Sequence, residues 1–145
     1  MTGGAVQEGV VVVVQRRQRL LIIRRAAGIL AGGAWCFVGG AIEPGETQEV
    51  AVVREFREEV GGRVQPVCRV WVYGHPDGAL RLHWWFGRLL PGELRPHAPE
   101  VAEIRWCTLD AIEALPDLLP SNLEFIRELR RGNIKLPVRP VAGCG

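Results

Sequence analysis

The stretch from Gly39 to Gly61 constrains the fold of this chain more than any other. It reads GGAIEPGETQEVAVVREFREEVG, which combines a glycine-rich turn, a helical pattern and a glycine stop. Pro44-Gly45 marks a turn, Thr47 is a typical N-cap residue, and Gly61 is a typical residue just past a helix end. The pattern therefore predicts a helix over about Gln48–Val60.

The predicted helix has two chemically different faces. At about 100° per residue its acidic side chains fall within a sector of roughly 100°, and its apolar side chains share the broad opposite side. Like charges three or four residues apart repel, so the acidic face is either salt-bridged by neighbouring arginines or binds a cation. Hard divalent ions take carboxylate and carbonyl oxygens, and a glycine loop lets backbone oxygens reach the same ion. The acidic residues are Glu55, Glu58 and Glu59, the neighbouring arginines Arg54 and Arg57, and the apolar residues Val50, Val52, Val53, Phe56 and Val60.

The spacing of the charged and glycine residues is specific. Gly40 is followed after five residues by Glu46, and after seven more by Arg54-Glu55-Phe56, one residue, Glu58-Glu59, one residue and Gly61. This resembles the signature of the Nudix hydrolase family, with every charged and glycine position filled. Gly62 and Val38 depart from the family pattern, which usually has an apolar residue and a proline there. Neither departure replaces a presumed ligand, so both concern packing more than chemistry.

The resemblance implies a metal-dependent pyrophosphohydrolase that cleaves a nucleoside diphosphate linked to another moiety, most of all a nucleoside triphosphate or related nucleotide. Its cofactor would be Mg²⁺ or Mn²⁺. The implied metal ligands are the carbonyl of Gly39 and the carboxylates of Glu58 and Glu59, with Glu55 as a further ligand or as the residue that orients water. The three glutamates and Arg54 are also the implied catalytic residues. Arg54 would hold neighbouring carboxylates in place, Glu46 among them.

The general base stays open among three glutamates, because its position varies within the family. Glu100 comes first, since it ends the proline-containing loop 91–99, where a lid or a substrate-specific insertion is expected. Glu103 is second and Glu55 third. A base must lie within hydrogen-bond reach of its water, and sequence does not supply that distance.

Candidate substrate contacts lie on two predicted strands. Arg24 and Arg25 end the second strand, and we expect one of them, with Arg24 as the choice, to reach a substrate phosphate. The aromatic strand Arg81–Arg88 alternates, so Trp84 and Phe86 are expected in the core while His83 and Trp85 form a base-stacking or sugar-contacting platform.

The predicted elements alternate between strands and three helices, which indicates an α/β (α+β) fold, a mixed central sheet sandwiched by helices. The resemblance implies the Nudix-type α/β/α sandwich. A short helix capped by Thr108 and a helix opened by a capping box at Ser121 and Glu124 follow the strands. The 145 residues predict a single domain, with a core over about 10–131 and a C-terminal tail over 133–145.

Charge and composition narrow the function classes. A net charge of +2 without a basic stripe argues against a nucleic-acid partner, and no apolar run approaches the roughly 18 residues of a membrane span. The four cysteines show no paired metal spacing: Cys36, Cys68 and Cys107 are expected to be small buried residues, and Cys144 to be exposed in the tail. With no secretory leader pattern, these features predict a cytoplasmic protein with a small-molecule nucleotide substrate. A homodimer stays open.

Two other functions compete with hydrolysis. A catalytically silent nucleotide-binding regulator could retain the same fold, although a pure binder has no need of all three helix carboxylates. Isomerisation of an isoprenoid diphosphate would call for its own acid and base, and no paired cysteine and glutamate arrangement demands them.

Overall fold

The computed structural model describes residues 5–137. Within these residues the chain forms seven strands and three helices, in an order that alternates as the sequence predicts. They are β1 Gln7–Arg16, β2 Arg19–Arg25, β3 Trp35–Cys36, β4 Val38–Ala41, α1 Gln48–Val60, β5 Val64–Gly74, β6 Leu80–Leu89, β7 Val101–Cys107, α2 Leu109–Glu113 and α3 Pro120–Arg130.

The strands form one mixed sheet centred on β1. β1 pairs antiparallel with β4 on one side and parallel with β6 on the other, and β5 continues beyond β6 as an antiparallel neighbour. β2 carries the second part of the sheet, with β3 and β7 as its antiparallel partners. β1 and β2 pair only near their shared hairpin, at Gln15–Leu20 and Arg16–Arg19. Beyond that hairpin, β1 pairs with β4 and β6, whereas β2 pairs with β3 and β7.

Alternation along β1 builds two cores. Its even-numbered valines, Val10, Val12 and Val14, pack with the apolar side of α1, and its odd-numbered valines, Val11 and Val13, pack on the other face with α2 and α3. Successive side chains of a strand point to opposite faces, so a continuous run of valines is what a sheet covered on both faces requires. The predicted α/β/α sandwich is confirmed.

Two of the aromatic residues of β6, Trp84 and Phe86, belong to the core beneath α3. Trp84 is fully buried and stacks on Phe125 with ring centroids 4.2 Å apart, and Phe37 meets both rings edge-on. Phe86 is buried on the same face. The predicted core role of Trp84 and Phe86 is confirmed.

Local capping signals predict two of the three helix starts. Thr47 Oγ1 accepts a hydrogen bond from Val50 N, and Thr108 caps α2 in the same way. Gly61 ends α1 in the left-handed conformation with φ 70°, as expected for a residue just past a helix end.

The predicted capping box at Ser121 and Glu124 is wrong. The N-cap lies two residues earlier than predicted: Leu119 is the N-cap, Pro120 is the first helical residue, and no side chain caps the helix. Proline suits that position because its missing N–H would have had no partner there. Ser121 therefore lies inside the helix instead of ahead of it.

The cysteines and the C-terminus fit the remaining predictions in part. Cys36 and Cys107 are buried free thiols, while Cys68 is half-buried. The predicted tail is described only as far as Pro137, and Cys144 lies outside the described residues. Among the helices of residues 5–137, none is long and apolar enough to cross a membrane.

Candidate metal and catalytic site

The acidic face of α1 lies against strand β4. The backbone N–H of Gly39 donates to Glu59 Oε1 at 3.1 Å, so the glycine strand and the helix carboxylate touch. Because the N–H and C=O of one strand residue point to the same edge, the Gly39 carbonyl faces the same side as its N–H. The arrangement therefore offers a carboxylate oxygen and a backbone oxygen to one point.

Gly40 permits the close approach of the second carboxylate. A Cβ atom at this position would lie 2.1 Å from Glu55 Oε2 and 2.4 Å from Glu55 Cδ. Any side chain here would displace the carboxylate from the strand. The glycine of the signature is thus required by contact with Glu55.

Burial separates the three helix glutamates. Glu55 and Glu59 are 8% and 7% exposed, whereas the Glu58 side chain is 55% exposed. Loss of hydration raises the pKa of Glu55 to about 7 and that of Glu59 to about 8, and their mutual repulsion adds to the increase for Glu59. The charge of Arg54 and the hydrogen bond from Gly39 oppose these shifts at Glu55 and Glu59 respectively.

Arg54 orients the acidic face of α1 through several hydrogen bonds. Its guanidinium grips Glu46 with two bonds of 2.5 and 2.8 Å, donates to the carbonyl of Ala41 at 3.0 Å, and reaches Glu55 at 3.3 Å and Glu58 at 3.0 Å. This bidentate pairing holds the pKa of Glu46 down at about 2. Arg54 therefore links the turn before α1 to the carboxylates on it, in the supporting role implied by the sequence resemblance.

The donor chemistry of the site fits Mg²⁺ or Mn²⁺. Glu59 is nearly buried and receives one backbone hydrogen bond, so its ionised form lacks the hydration a carboxylate normally has. A hard divalent cation, which binds oxygen ligands, therefore suits the buried carboxylates of Glu55 and Glu59. Within residues 5–137 no three acidic side chains already converge on one point. Glu58 instead accepts a hydrogen bond from Arg54 at 3.0 Å.

Two candidates for the general base lie outside α1: Glu100, at the end of the loop, and Glu103, in β7. Glu100 is on the side of the helix carboxylates. Its charge raises the pKa of both Glu55 and Glu59. Glu103 instead pairs with Arg105 at 2.7 Å, and the Arg105 guanidinium stacks over the Trp35 ring of the opposite core. Glu100 therefore acts electrostatically on the helix carboxylates, whereas Glu103 is engaged by Arg105.

The two arginines that end β2 lie on opposite faces of the strand, and Arg25, not Arg24, is on the side of the helix carboxylates. Arg24 is exposed and its guanidinium lies 5.9 Å from the centre of the Trp35 ring, on the face away from α1. Arg25 continues the alternation of Leu21 and Ile23 toward α1, and its charge lowers the pKa of Glu59. Strand alternation from the core leucine was the signal that would have selected Arg25.

The predicted platform of His83 and Trp85 is not an open surface. His83 is 5% exposed, with Nε2 2.5 Å from Glu8 Oε1 and Nδ1 3.3 Å from Arg69 Nη1. Trp85 packs against the core under α1 and donates its indole N–H to Gln48 at 2.8 Å. Both rings have their polar atoms satisfied within the fold, so we correct the expectation that they face a substrate.

Fold and site together define an α/β/α sandwich whose buried helix carboxylates suit a divalent cation beside phosphates. The NUDIX domain model matches residues 6–129. This chain therefore belongs to the Nudix hydrolase family, as its signature predicts.

Individual relatives differ in how much of their length they share with this chain. It is 38% identical over 97 residues to the 8-oxo-dGTP diphosphatase of Escherichia coli (strain K12), covering 66% of this chain and 73% of that protein. It is 34% identical over 86 residues to the NAD-capped RNA hydrolase NudC of Stutzerimonas stutzeri (strain A1501), covering 59% of this chain and 31% of that protein. The chain thus spans less than a third of the length of NudC.

A solved structure shares the fold. The crystal structure of a MutT NUDIX hydrolase from Burkholderia pseudomallei superposes with a TM-score of 0.74 at 24% identity, over 87% of this chain and 99% of that one. The likeness covers the whole sandwich.

Proposed function

We propose that this protein is a divalent-metal-dependent pyrophosphohydrolase that cleaves a nucleoside diphosphate linked to another moiety. The observation that carries the proposal is the buried pair Glu55 and Glu59, packed against Gly40 and Gly39. Two desolvated carboxylates would repel a phosphate on their own. A bound Mg²⁺ or Mn²⁺ supplies the positive charge that offsets the phosphate oxygens and makes water a better nucleophile.

The residues of the chain divide the remaining work. Glu55, Glu58 and Glu59, with the Gly39 carbonyl, would hold the ion, and Arg54 with Glu46 keeps the acidic face oriented. Glu100 accepts the proton of the attacking water, because its charge acts on the buried pair, whereas Glu103 is held in an ion pair with Arg105 on its own strand. Arg25 offsets the charge of a substrate phosphate at the end of β2.

A nucleoside triphosphate is the proposed substrate class. The Escherichia coli relative is described as acting on 8-oxo-dGTP, and the alignment with it covers 73% of its length. NudC, described as acting on NAD-capped RNA, is covered over only 31% of its length. The greater shared extent favours the triphosphate.

The test is a nucleotide panel assayed with Mg²⁺ or Mn²⁺ for release of phosphate and pyrophosphate. We expect turnover on at least one nucleoside triphosphate and a loss of about 100-fold or more in Glu59→Gln. Glu49→Gln is the matched control, because Glu49 is an exposed acid in the first turn of the same helix. Intact turnover in Glu59→Gln would refute the ligand assignment.

The same panel addresses the competing function. Tight binding of one nucleotide without hydrolysis would favour the catalytically silent regulator. Two further predictions, a single domain and a cytoplasmic location, have their own measurements, as does the open question of a homodimer. Limited proteolysis addresses the single domain, cell fractionation the location, and light scattering after gel filtration the homodimer.

A further inference from the structure

Gly62 is a glycine because a leucine from another segment occupies the space beside it. A Cβ atom at this position would lie 2.3 Å from Leu94 Cδ2 and 2.7 Å from Phe56 Cε2. The backbone does not require glycine here, since Gly62 is absent from the residues with positive φ. The departure from the family signature at this position therefore makes room for Leu94.

Leu94 is the only side chain between Pro91 and Glu100 that is not exposed, and it packs against the core beneath α1. Its neighbours are bonded to the same helix end. Arg95 N donates to Val60 O at 2.8 Å and His97 N donates to Glu59 O at 3.0 Å. The last carbonyls of a helix lack partners within it, so the segment 91–100 satisfies two of them while Leu94 closes the contact.

The same segment determines where Glu100 lies. The amides of Glu100 and Val101 both donate to the His97 carbonyl, at 2.9 and 2.8 Å, and the Glu100 carbonyl accepts from Ala26 N at 2.8 Å. His97 is itself bonded to the backbone of Glu59. Backbone hydrogen bonds therefore connect the segment around Leu94 continuously to Glu100, the residue that borders the carboxylate pair.

We propose that Leu94, seated over Gly62, is a positioning residue that holds Glu100 beside the carboxylates of α1. The proposal rests on the proposed function, in which Glu100 is the general base. Leu94 touches neither substrate nor ion; it acts by docking the segment on the end of α1. A misplacement of about 1 Å at a catalytic group can lower the rate 100-fold, and removal of the single apolar anchor frees the segment to move by such an amount.

The test is a double-mutant cycle on kcat with Leu94→Ala, Glu100→Gln and both together. We expect Leu94→Ala to lower kcat about 10- to 100-fold with KM within about twofold, but to lower it less than about twofold in the Glu100→Gln background. Equal losses in both backgrounds would mean that Leu94 acts on stability alone and would overturn the proposal. Leu94→Met keeps an apolar anchor and should retain turnover, and Val72→Ala, at a part-exposed residue of β5, is the control.

A second measurement is independent of activity. Amide hydrogen exchange at Arg95 and His97 should accelerate about 10-fold or more in Leu94→Ala and in Gly62→Ala, which displaces the same leucine from the helix side. Unchanged exchange in both variants would overturn the docking. If the wild-type protein hydrolyses no nucleotide, the proposed function fails, and exchange alone then decides whether Leu94 docks the segment.

Discussion

Divalent-metal binding to this protein should release protons in a number that depends on pH. Glu55 and Glu59 bind the ion as carboxylates, yet burial raises their pKa values to about 7 and about 8 in the metal-free fold. At pH 6 both therefore carry protons that must leave. Since the two groups repel each other, they titrate as a pair.

The shifts set the size of the effect. Near pH 6 binding should release about two protons, so affinity rises about 100-fold per pH unit; near pH 7.5 the number falls to about one, and above about pH 9 to zero. The sign for stability follows from the same shifts. The metal-free fold binds more protons than the unfolded chain between about 4.5 and 8, so its stability falls as pH rises through that window. Saturating metal should offset the fall.

Calorimetric titration with Mn²⁺ at several pH values, in buffers of different ionisation enthalpy, counts the protons. Glu59→Gln should remove about one of them and weaken binding, while Glu49→Gln should change neither quantity. Thermal denaturation in the presence of a chelator tests whether the stability of the metal-free fold falls as pH rises. Metal affinity that is flat between pH 6 and pH 8 in the wild-type protein would refute the assignment of the buried pair as ligands.

Three sets of substitutions test the rest of the site. Arg54→Lys cannot reproduce the two hydrogen bonds that Arg54 makes to Glu46. We therefore expect kcat to fall about 10- to 100-fold and the free energy of unfolding, measured in urea, to fall by about 1–3 kcal/mol. Wild-type values for both quantities would argue that this pairing is dispensable. Glu100→Gln should lower kcat about 100-fold at unchanged metal affinity, and Glu103→Gln should lower kcat less than about twofold. A larger loss of kcat in Glu103→Gln than in Glu100→Gln, measured in steady-state assays, would assign the general base to β7. Arg25→Ala should raise KM for a nucleoside triphosphate about 10-fold or more, because a charged hydrogen bond is lost. Arg24→Ala should leave KM nearly unchanged. Equal KM values in the two variants would contradict the assignment of Arg25 and Arg24 to opposite sides of β2.

Features that depend on near neighbours in the chain were predictable from sequence. α1 spans the predicted Gln48–Val60, because Thr47 bonds to Val50 N and Gly61 to Arg57 O, all within four residues. The valines of β1 alternate between two cores as a strand covered on both faces must. Short-range geometry supplies these answers, so the fold class followed from the pattern.

The start of α3 shows where such reasoning ends. Ser121 and Glu124 have the form of a capping box, yet Leu119 is the N-cap of the helix. The N–H of Leu119 donates to the carbonyl of Trp35 at 3.1 Å. That partner lies more than 80 residues away in the chain. A contact between β3 and the approach to α3 therefore competes with the local capping signal, and no window of sequence contains both.

By itself the sequence determined that three carboxylates share one face of a helix that follows a glycine strand, since helical periodicity and turn residues act locally. Only the tertiary structure decided which of them lose their water. Glu55 lies against Gly40 and Glu59 against Gly39, while Glu58 stays exposed beside Arg54. Hydration and charge interactions depend on every segment packed around a group, so the raised pKa values of Glu55 and Glu59 are properties of the assembled sandwich.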